Sequence, residues 1–192
     1  VSPTDWVGNL SLAFFHILTG WLAAHSAARA GAYPLGRRAR RLLLPFAVWS
    51  AFYLAVEWWI ADPAARADLF SNPILLLTGP SLHLWYLPFL ILTMPLVWPM
   101  LRATQSLRGL VLCCVALLLL GGPQLWVHSL GALPFPLPQW AFGLPFFAAG
   151  LLLARGEALG AAWLPRLAIT LLALGSWALG AAWWAAPTGL LA

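Results

Sequence analysis

Long apolar stretches with almost no charge dominate this chain. A helix that crosses a bilayer needs about 20 predominantly apolar residues, and six stretches approach that length: residues 6–28, 42–60, 83–101, 110–126, 139–154 and 167–184. Overall, 62% of the residues are hydrophobic and 8% are charged, whereas soluble domains carry about 25% charged residues. The sequence therefore predicts an all-α, polytopic integral membrane protein with about six transmembrane helices, forming a single transmembrane domain over residues 1–192.

The only charge cluster in the sequence lies between the first two apolar stretches. It consists of four arginines, Arg37, Arg38, Arg40 and Arg41, called the arginine cluster below. Because loops rich in Lys and Arg resist translocation, such a cluster indicates the cytoplasmic side. If the helices alternate in direction, nine of the ten arginines fall on this side and Arg66 is the exception. We therefore predict a multi-pass protein of the plasma membrane whose Arg-rich loops are cytoplasmic.

The positive charge indicates membrane orientation rather than nucleic-acid binding. The formal net charge is +5, but the arginines lie in short loops between apolar stretches. A nucleic-acid interface would place them on a hydrated face with aromatic residues between them. The chain also lacks the residue spacing of a metal site, a P-loop, a nucleophile elbow or a dinucleotide-binding motif. We expect no nucleic-acid partner, no metal and no tightly bound cofactor.

Small residues and prolines predict how the helices pack and bend. Gly20, Ala24 and Ala28 recur at every fourth position, the spacing that lets membrane helices approach closely, so this face is predicted to pack on another helix. The fifth stretch is predicted to be short and broken by Gly143 and Pro145.

The helix ends are predicted from prolines and polar residues. The second helix is predicted to begin at Leu42, after a loop that ends in the arginine cluster. Pro45 then lies in its first turn, where a missing N–H costs little. A Pro-rich outer loop containing His128 is predicted after the fourth stretch.

Ionisable side chains within apolar spans are costly and therefore suggest function. His16 lies near the middle of the first stretch. It can act as a general base on a substrate hydroxyl, or it can simply hydrogen-bond to a neighbouring helix. His25, nearer the inner end, and Glu57, beside an outer Trp pair, are predicted to be interfacial.

Aromatic residues open the third stretch, where His83, Trp85 and Tyr86 follow a polar loop. They are typical of the aromatic belt at a membrane interface, and they can also line the mouth of a cavity for a hydroxylated substrate. The arginine cluster likewise has a second interpretation, because guanidinium groups bind phosphate oxygens through two parallel hydrogen bonds.

Three stretches are informative in combination. Residues 13–22 read AFFHILTGWL, residues 37–46 read RRARRLLLPF, and residues 81–87 read SLHLWYL. In this order and spacing they resemble acyltransferase family 3, integral membrane proteins that acylate sugars, polysaccharides and other hydroxylated acceptors. The stretches are similar to the aromatic-rich second helix of that family, its basic loop with a Leu-Pro helix start, and its His-Leu-Trp-aromatic-Leu motif.

The resemblance implies transfer of an acyl group, expected to be acetyl, from acyl-CoA to a hydroxyl of a carbohydrate or lipid-linked acceptor. The arginine cluster would hold the donor phosphates, and His83, Trp85 and Tyr86 would lie along the acceptor path. In the family, the catalytic His lies on the helix before the aromatic one. We therefore expect this chain to be a segment of a larger acyltransferase-like domain, in which His16 is the remaining candidate base.

Two other functions stay open from the sequence. The first is a transporter or flippase for a polar or lipid-linked molecule. Its discontinuous helices would be the Pro-containing third and fifth stretches. The second is a truncated membrane protein without activity.

Overall fold

The chain is helical throughout the part that the structure describes. A computed structural model describes residues 3–30, 34–61, 84–129 and 136–185. Within these ranges there are six α-helices and no β-strand: α1 (Pro3–Ala30), α2 (Leu35–Ile60), α3 (Tyr86–Ala103), α4 (Leu107–Ser129), α5 (Leu137–Ala158) and α6 (Trp163–Ala185). Among the described residues, α1 to α5 each contain a stretch long and apolar enough to cross a membrane, and α6 has a shorter one. The predicted all-α polytopic architecture is confirmed.

The chain divides into two compact units. Unit 1 comprises Val1–Tyr33 and Leu96–Ala192, and unit 2 comprises Pro34–Pro95. Unit 1 therefore contains α1, the end of α3, α4, α5 and α6, while unit 2 contains α2 and the beginning of α3. The prediction of one transmembrane domain over the whole chain stays a prediction.

Helix α5 is the centre of unit 1. It packs against α1, α4 and α6, and 11 of its 22 residues are buried. A helix that is apolar all round is typical of such a buried position. The main apolar cluster joins it to the neighbouring helices and includes Leu110, Cys114 and Leu117 of α4, Phe142, Phe146, Ala149 and Leu152 of α5, and Ala168 and Leu172 of α6.

Helices α1 and α5 cross at a pair of glycines. A Cβ atom added at Gly20 would overlap the backbone carbonyl oxygen of Phe147, and one added at Gly150 would overlap that of Ile17. Each glycine therefore contacts the backbone of the opposite helix directly. Such close approach, with small residues at the interface, is how membrane helices associate tightly.

The predicted small-residue face of α1 is confirmed for two of its three members. Gly20 and Ala24 are buried in the crossing, but Ala28 is exposed. Ala27, with 0% of its surface exposed, takes the buried position instead. An α-helix has 3.6 residues per turn, so a strict four-residue spacing drifts around the helix and leaves the contact after two turns.

The predicted break in the fifth helix is wrong. Helix α5 is continuous from Leu137 to Ala158, through Gly143 and Pro145. Pro145 is buried, and its Cβ would lie 3.0 Å from a Cβ placed at Gly121 of α4. Tertiary packing against α4 therefore holds the proline in the helix, and membrane helices tolerate the lost backbone hydrogen bond.

Helix α2 begins earlier than predicted. Its first residue is Leu35, so the arginine cluster lies on its first two turns and not in a loop. Pro45 is consequently inside the helix rather than in its first turn. Arginine is a good helix former, so the helix extends backward through the cluster as far as Pro34, which precedes it.

Short turns connect the remaining helices of unit 1. The Ser106 hydroxyl accepts a hydrogen bond from the Gly109 N–H (3.2 Å) and caps the start of α4. Gly160, with φ +67°, ends α5, and the Ala161 N–H donates to the Gly156 carbonyl (2.8 Å) in the pattern of a Schellman motif. Helix α4 extends to Ser129, so the backbone of His128 is helical. The prediction that His128 lies in a loop is therefore wrong.

Candidate functional site

The arginine cluster forms a basic surface on one side of α2. Successive side chains on a helix are about 100° apart, so the four arginines spread over roughly 160° of its circumference. Three of them are exposed and Arg38 is half-buried. The four arginines therefore lie on the same half of the helix circumference, within the same two turns.

The N-terminus of α2 strengthens the positive potential of the cluster. The first turn contains no acidic residue, and no side chain caps it. A helix N-terminus carries about half a positive charge, so cations there are unfavourable by about 0.3–1 kcal/mol each. A bound anion would interact with the guanidinium groups and with the helix end together. The role of the cluster in holding donor phosphates stays a prediction.

His16 lies inside unit 1, one helical turn before Gly20. The side chain has 0% of its surface exposed, and Nδ1 donates a hydrogen bond to the Leu12 carbonyl oxygen at 2.6 Å. A carbonyl can only accept, so Nδ1 carries the proton and the lone pair of the neutral ring is on Nε2. Nε2 is therefore the atom that would act as a base. The catalytic role of His16 stays a prediction.

Of the three residues predicted along an acceptor path, the structure describes two, because His83 lies outside the described residues. Trp85 is 8% exposed, and its ring centroid lies 6.0 Å from that of Tyr86 and 6.4 Å from that of Phe89. Tyr86 stacks on Phe89. Trp85 and Tyr86 thus belong to an aromatic cluster of unit 2, and their contact with an acceptor stays a prediction.

A polar contact that the sequence did not suggest joins α1 to α5. The indole Nε1–H of Trp21 donates to Glu157 Oε2 at 2.8 Å, and His25 Nε2 lies 3.4 Å from the same oxygen. The Trp21 and His25 rings also contact each other, with centroids 4.1 Å apart. All three side chains are partly exposed, so this contact forms a wetted end of the α1–α5 interface.

The carboxylate of Glu157 is expected to stabilise this end of the fold modestly. Glu157→Ala should lower the free energy of unfolding by about 1 kcal/mol, because the Trp21 indole loses a charged acceptor. Glu157→Gln should lower it by less, since the amide oxygen of glutamine still accepts the hydrogen bond from the Trp21 indole. The lost ion pair with His25 is exposed, and such a pair contributes about 0–1 kcal/mol. Unfolding in mixed detergent micelles measures both. Glu57→Ala on α2 removes the same charge as a control, and an equal effect of the two alanine variants would contradict this role.

The comparison with known protein families decides the class of this protein. A model of an acyltransferase domain family matches residues 7–191, a range that includes nearly all of the described helices. The chain belongs to acyltransferase family 3. No curated protein and no solved structure matches it. The resemblance carried by the three stretches is thereby confirmed, and this acyltransferase family 3 protein carries a membrane acyltransferase domain.

The candidate residues of this acyltransferase family 3 protein are divided between its two units. His16 belongs to unit 1, while the arginine cluster, Trp85 and Tyr86 belong to unit 2. Among the described residues, no three His, Cys, Asp or Glu side chains are grouped as metal ligands would be. The discontinuous helices that would favour a transporter are not found either, because α3 and α5 are each continuous over their described lengths.

Proposed function

We propose that the protein transfers an acyl group, acetyl in the simplest case, from acyl-CoA to a hydroxyl of a sugar, polysaccharide or lipid-linked acceptor. The observation that carries this proposal is the family match over residues 7–191. The one-sided basic surface on α2 supports the choice of a phosphorylated donor. We propose that this surface faces the cytoplasm, where acyl-CoA is available, in a protein of the plasma membrane.

The proposed reaction needs three things from the protein. The acceptor hydroxyl attacks the thioester carbonyl carbon, the carbonyl oxygen becomes an oxyanion, and the CoA thiolate leaves and takes up a proton. A base must remove the hydroxyl proton, hydrogen-bond donors must stabilise the oxyanion, and the donor must be held in place. In this proposal the arginine cluster holds the donor phosphates, and Trp85 and Tyr86 contact the acceptor.

His16 is the proposed base within the described residues. The hydrogen bond from Nδ1 to the Leu12 carbonyl fixes the tautomer in which Nε2 can accept a proton. His16 has 0% of its surface exposed, so the acceptor must enter the interior of unit 1 to reach Nε2. This requirement makes His16 testable separately from the proposed overall reaction.

The proposed function is tested with labelled donor. Membranes containing the full-length protein receive [¹⁴C]acetyl-CoA on one side and a panel of carbohydrate acceptors on the other. We expect label in the acceptor, dependent on the donor and lost after mild alkaline hydrolysis of the ester. Movement of unmodified acceptor across the membrane without donor would instead support a transporter.

His16→Asn is expected to reduce kcat by at least about 100-fold, the usual contribution of a general base. Asparagine can donate to the Leu12 carbonyl from a position close to that of Nδ1, so the hydrogen bond is kept while the base is removed. Acetyl transfer is measured at saturating donor, together with thermal stability. Turnover equal to that of the wild type, with unchanged stability, would remove His16 from the mechanism.

A further inference from the structure

A cavity of about 280 Å³ lies within unit 1, apart from the candidate residues described above. It is formed where the end of α1, the end of α3 with the residues that follow it, and α5 come together. Its walls are Ala27, Ala28, Trp98, Leu101, Arg102, Gln105 and Arg155. These seven residues include two arginines and no acidic residue, so the cavity carries a positive charge.

The structure holds both guanidinium groups in place. Arg155 donates from Nε and Nη2 to the Thr104 carbonyl oxygen, at 3.3 Å and 3.0 Å. Thr104 is itself fixed, because it is fully buried and its hydroxyl donates to the Met100 carbonyl at 2.7 Å. The guanidinium carbon of Arg102 lies 5.3 Å from the Trp98 ring centroid, a cation–π contact. Both guanidinium groups therefore have a defined contact at the wall of the cavity.

Both arginines keep hydrogen-bond donors for a ligand. A guanidinium group has five N–H donors, and the Thr104 carbonyl occupies two of those on Arg155. Within the described part of the chain, Arg102 has no ion pair. Gln105 adds an amide to the same cavity. A phosphate oxygen is the acceptor that planar guanidinium groups bind best.

We propose that this cavity binds the phosphate group of a phosphate ester, through Arg102 and Arg155, with Gln105 as a further hydrogen-bond donor. Its volume is slightly below the usual range for small-molecule pockets, about 300–1,000 Å³. It therefore fits a phosphate and the group next to it, but not a whole nucleotide cofactor. The apolar wall of Ala27, Ala28 and Leu101 would contact that neighbouring group.

Two sources can supply this chemistry. One is an anionic phospholipid, because basic pockets between the ends of membrane helices bind lipid head groups. The other is a phosphate of CoA, and for that source the inference rests on the proposed function. Binding is measured without acyl transfer, so the site and the proposed reaction can fail independently.

A purely structural role for the two arginines is the competing explanation. Both lie in the last turns of their helices, Arg102 of α3 and Arg155 of α5, where cations interact favourably with the helix dipole. This explanation predicts that their loss changes stability and not ligand binding. Arg102 is the better test, because its residue is exposed and its guanidinium group is placed by a cation–π contact with Trp98 rather than by hydrogen bonds to a buried carbonyl.

The first arm of the experiment uses CoA as the probe. The full chain is placed in phosphatidylcholine nanodiscs, and CoA binding is measured by calorimetry. If CoA is the source, Arg102→Gln should weaken binding at least tenfold, which corresponds to about 1.4 kcal/mol, because a charge-assisted hydrogen bond is lost. Ala28→Phe should weaken it similarly by filling the cavity without changing the charge. Arg108→Gln, which removes the same charge six positions along the chain and outside the cavity lining, is the matched control.

The second arm uses phosphatidylglycerol as the probe. Nanodiscs containing both lipids are analysed by native mass spectrometry, which counts the lipids retained by the protein. If the ligand is a lipid, the wild type retains phosphatidylglycerol in preference to phosphatidylcholine, and Arg102→Gln and Ala28→Phe lose this preference while Arg108→Gln keeps it. A selective loss in either arm supports the phosphate site and identifies the source. If neither probe binds, or if Arg102→Gln and Arg108→Gln behave alike with both probes, the proposal is overturned.

Discussion

Gly150→Ala is expected to destabilise the fold by about 3 kcal/mol, near the upper end of the range for overpacking substitutions. The added Cβ would overlap the carbonyl oxygen of Ile17. A flexible side chain can move away from a new methyl group, but here the obstacle is the backbone of α1. The two helices must therefore separate, which weakens the contact over the whole crossing. Unfolding by SDS in mixed micelles measures the loss.

The reciprocal position should respond in the same way. Gly20→Ala places a Cβ against the Phe147 carbonyl oxygen, so its effect should match that of Gly150→Ala within about 1 kcal/mol. Gly122→Ala on α4 is the control, because a Cβ there meets no atom within 4 Å. That variant should be neutral, or more stable by up to about 1 kcal/mol, since alanine favours a helix. A crossing variant as stable as Gly122→Ala would contradict the close backbone contact.

The number and type of the helices could be predicted because the bilayer imposes them. Every backbone polar group must be satisfied inside the membrane, so long apolar stretches without charge have few alternatives to helix. The close α1–α5 contact also had a local signal, the spacing of Gly20 and Ala24. The partner helix had no such signal, because which apolar helix lies at the centre depends on packing between distant segments.

The helix boundaries were harder to predict, for a physical reason. The arginine cluster is expected to lie at a membrane boundary, and hydropathy alone ends the apolar stretch there. Hydrogen bonding along a helix does not stop at the edge of the membrane, however, so α2 continues outward to Leu35. In α5, packing around Pro145 outweighs the local tendency of proline to interrupt a helix.

The polar contacts of unit 1 could not have been predicted from one sequence. Trp21 and Glu157 are 136 positions apart, and each taken alone is an ordinary residue of a membrane interface. Arg102 and Arg155 lie in the last turns of separate helices, α3 and α5, where each taken alone is expected as an orientation signal. Only the tertiary structure shows that both line one cavity. The arginine cluster on α2 differs, because its four arginines lie within five consecutive residues, so the sequence alone shows the concentration of charge.

The arginine cluster on α2 allows a prediction that separates its two roles. Orientation requires positive charge, which lysine also supplies. Donor binding through paired hydrogen bonds requires the planar guanidinium group, which lysine lacks. Replacing all four arginines by lysine should therefore leave the topology unchanged, as judged by reporter tags in the loops, while binding of the donor weakens. Replacing all four by glutamine should disturb the topology and also weaken binding of the donor.

The lysine variant is expected to raise the KM for acyl-CoA about tenfold. The glutamine variant is expected to raise this KM by at least about 100-fold. The estimate follows from about 1.5–3 kcal/mol for each charge-assisted hydrogen bond that is lost. At saturating donor, kcat should change little, because phosphate contacts distant from the thioester stabilise ground state and transition state alike. Arg108→Lys combined with Arg166→Lys is the control, since neither residue belongs to the cluster. If the lysine variant keeps the wild-type KM, the guanidinium groups do not bind the donor, and the cluster serves orientation alone.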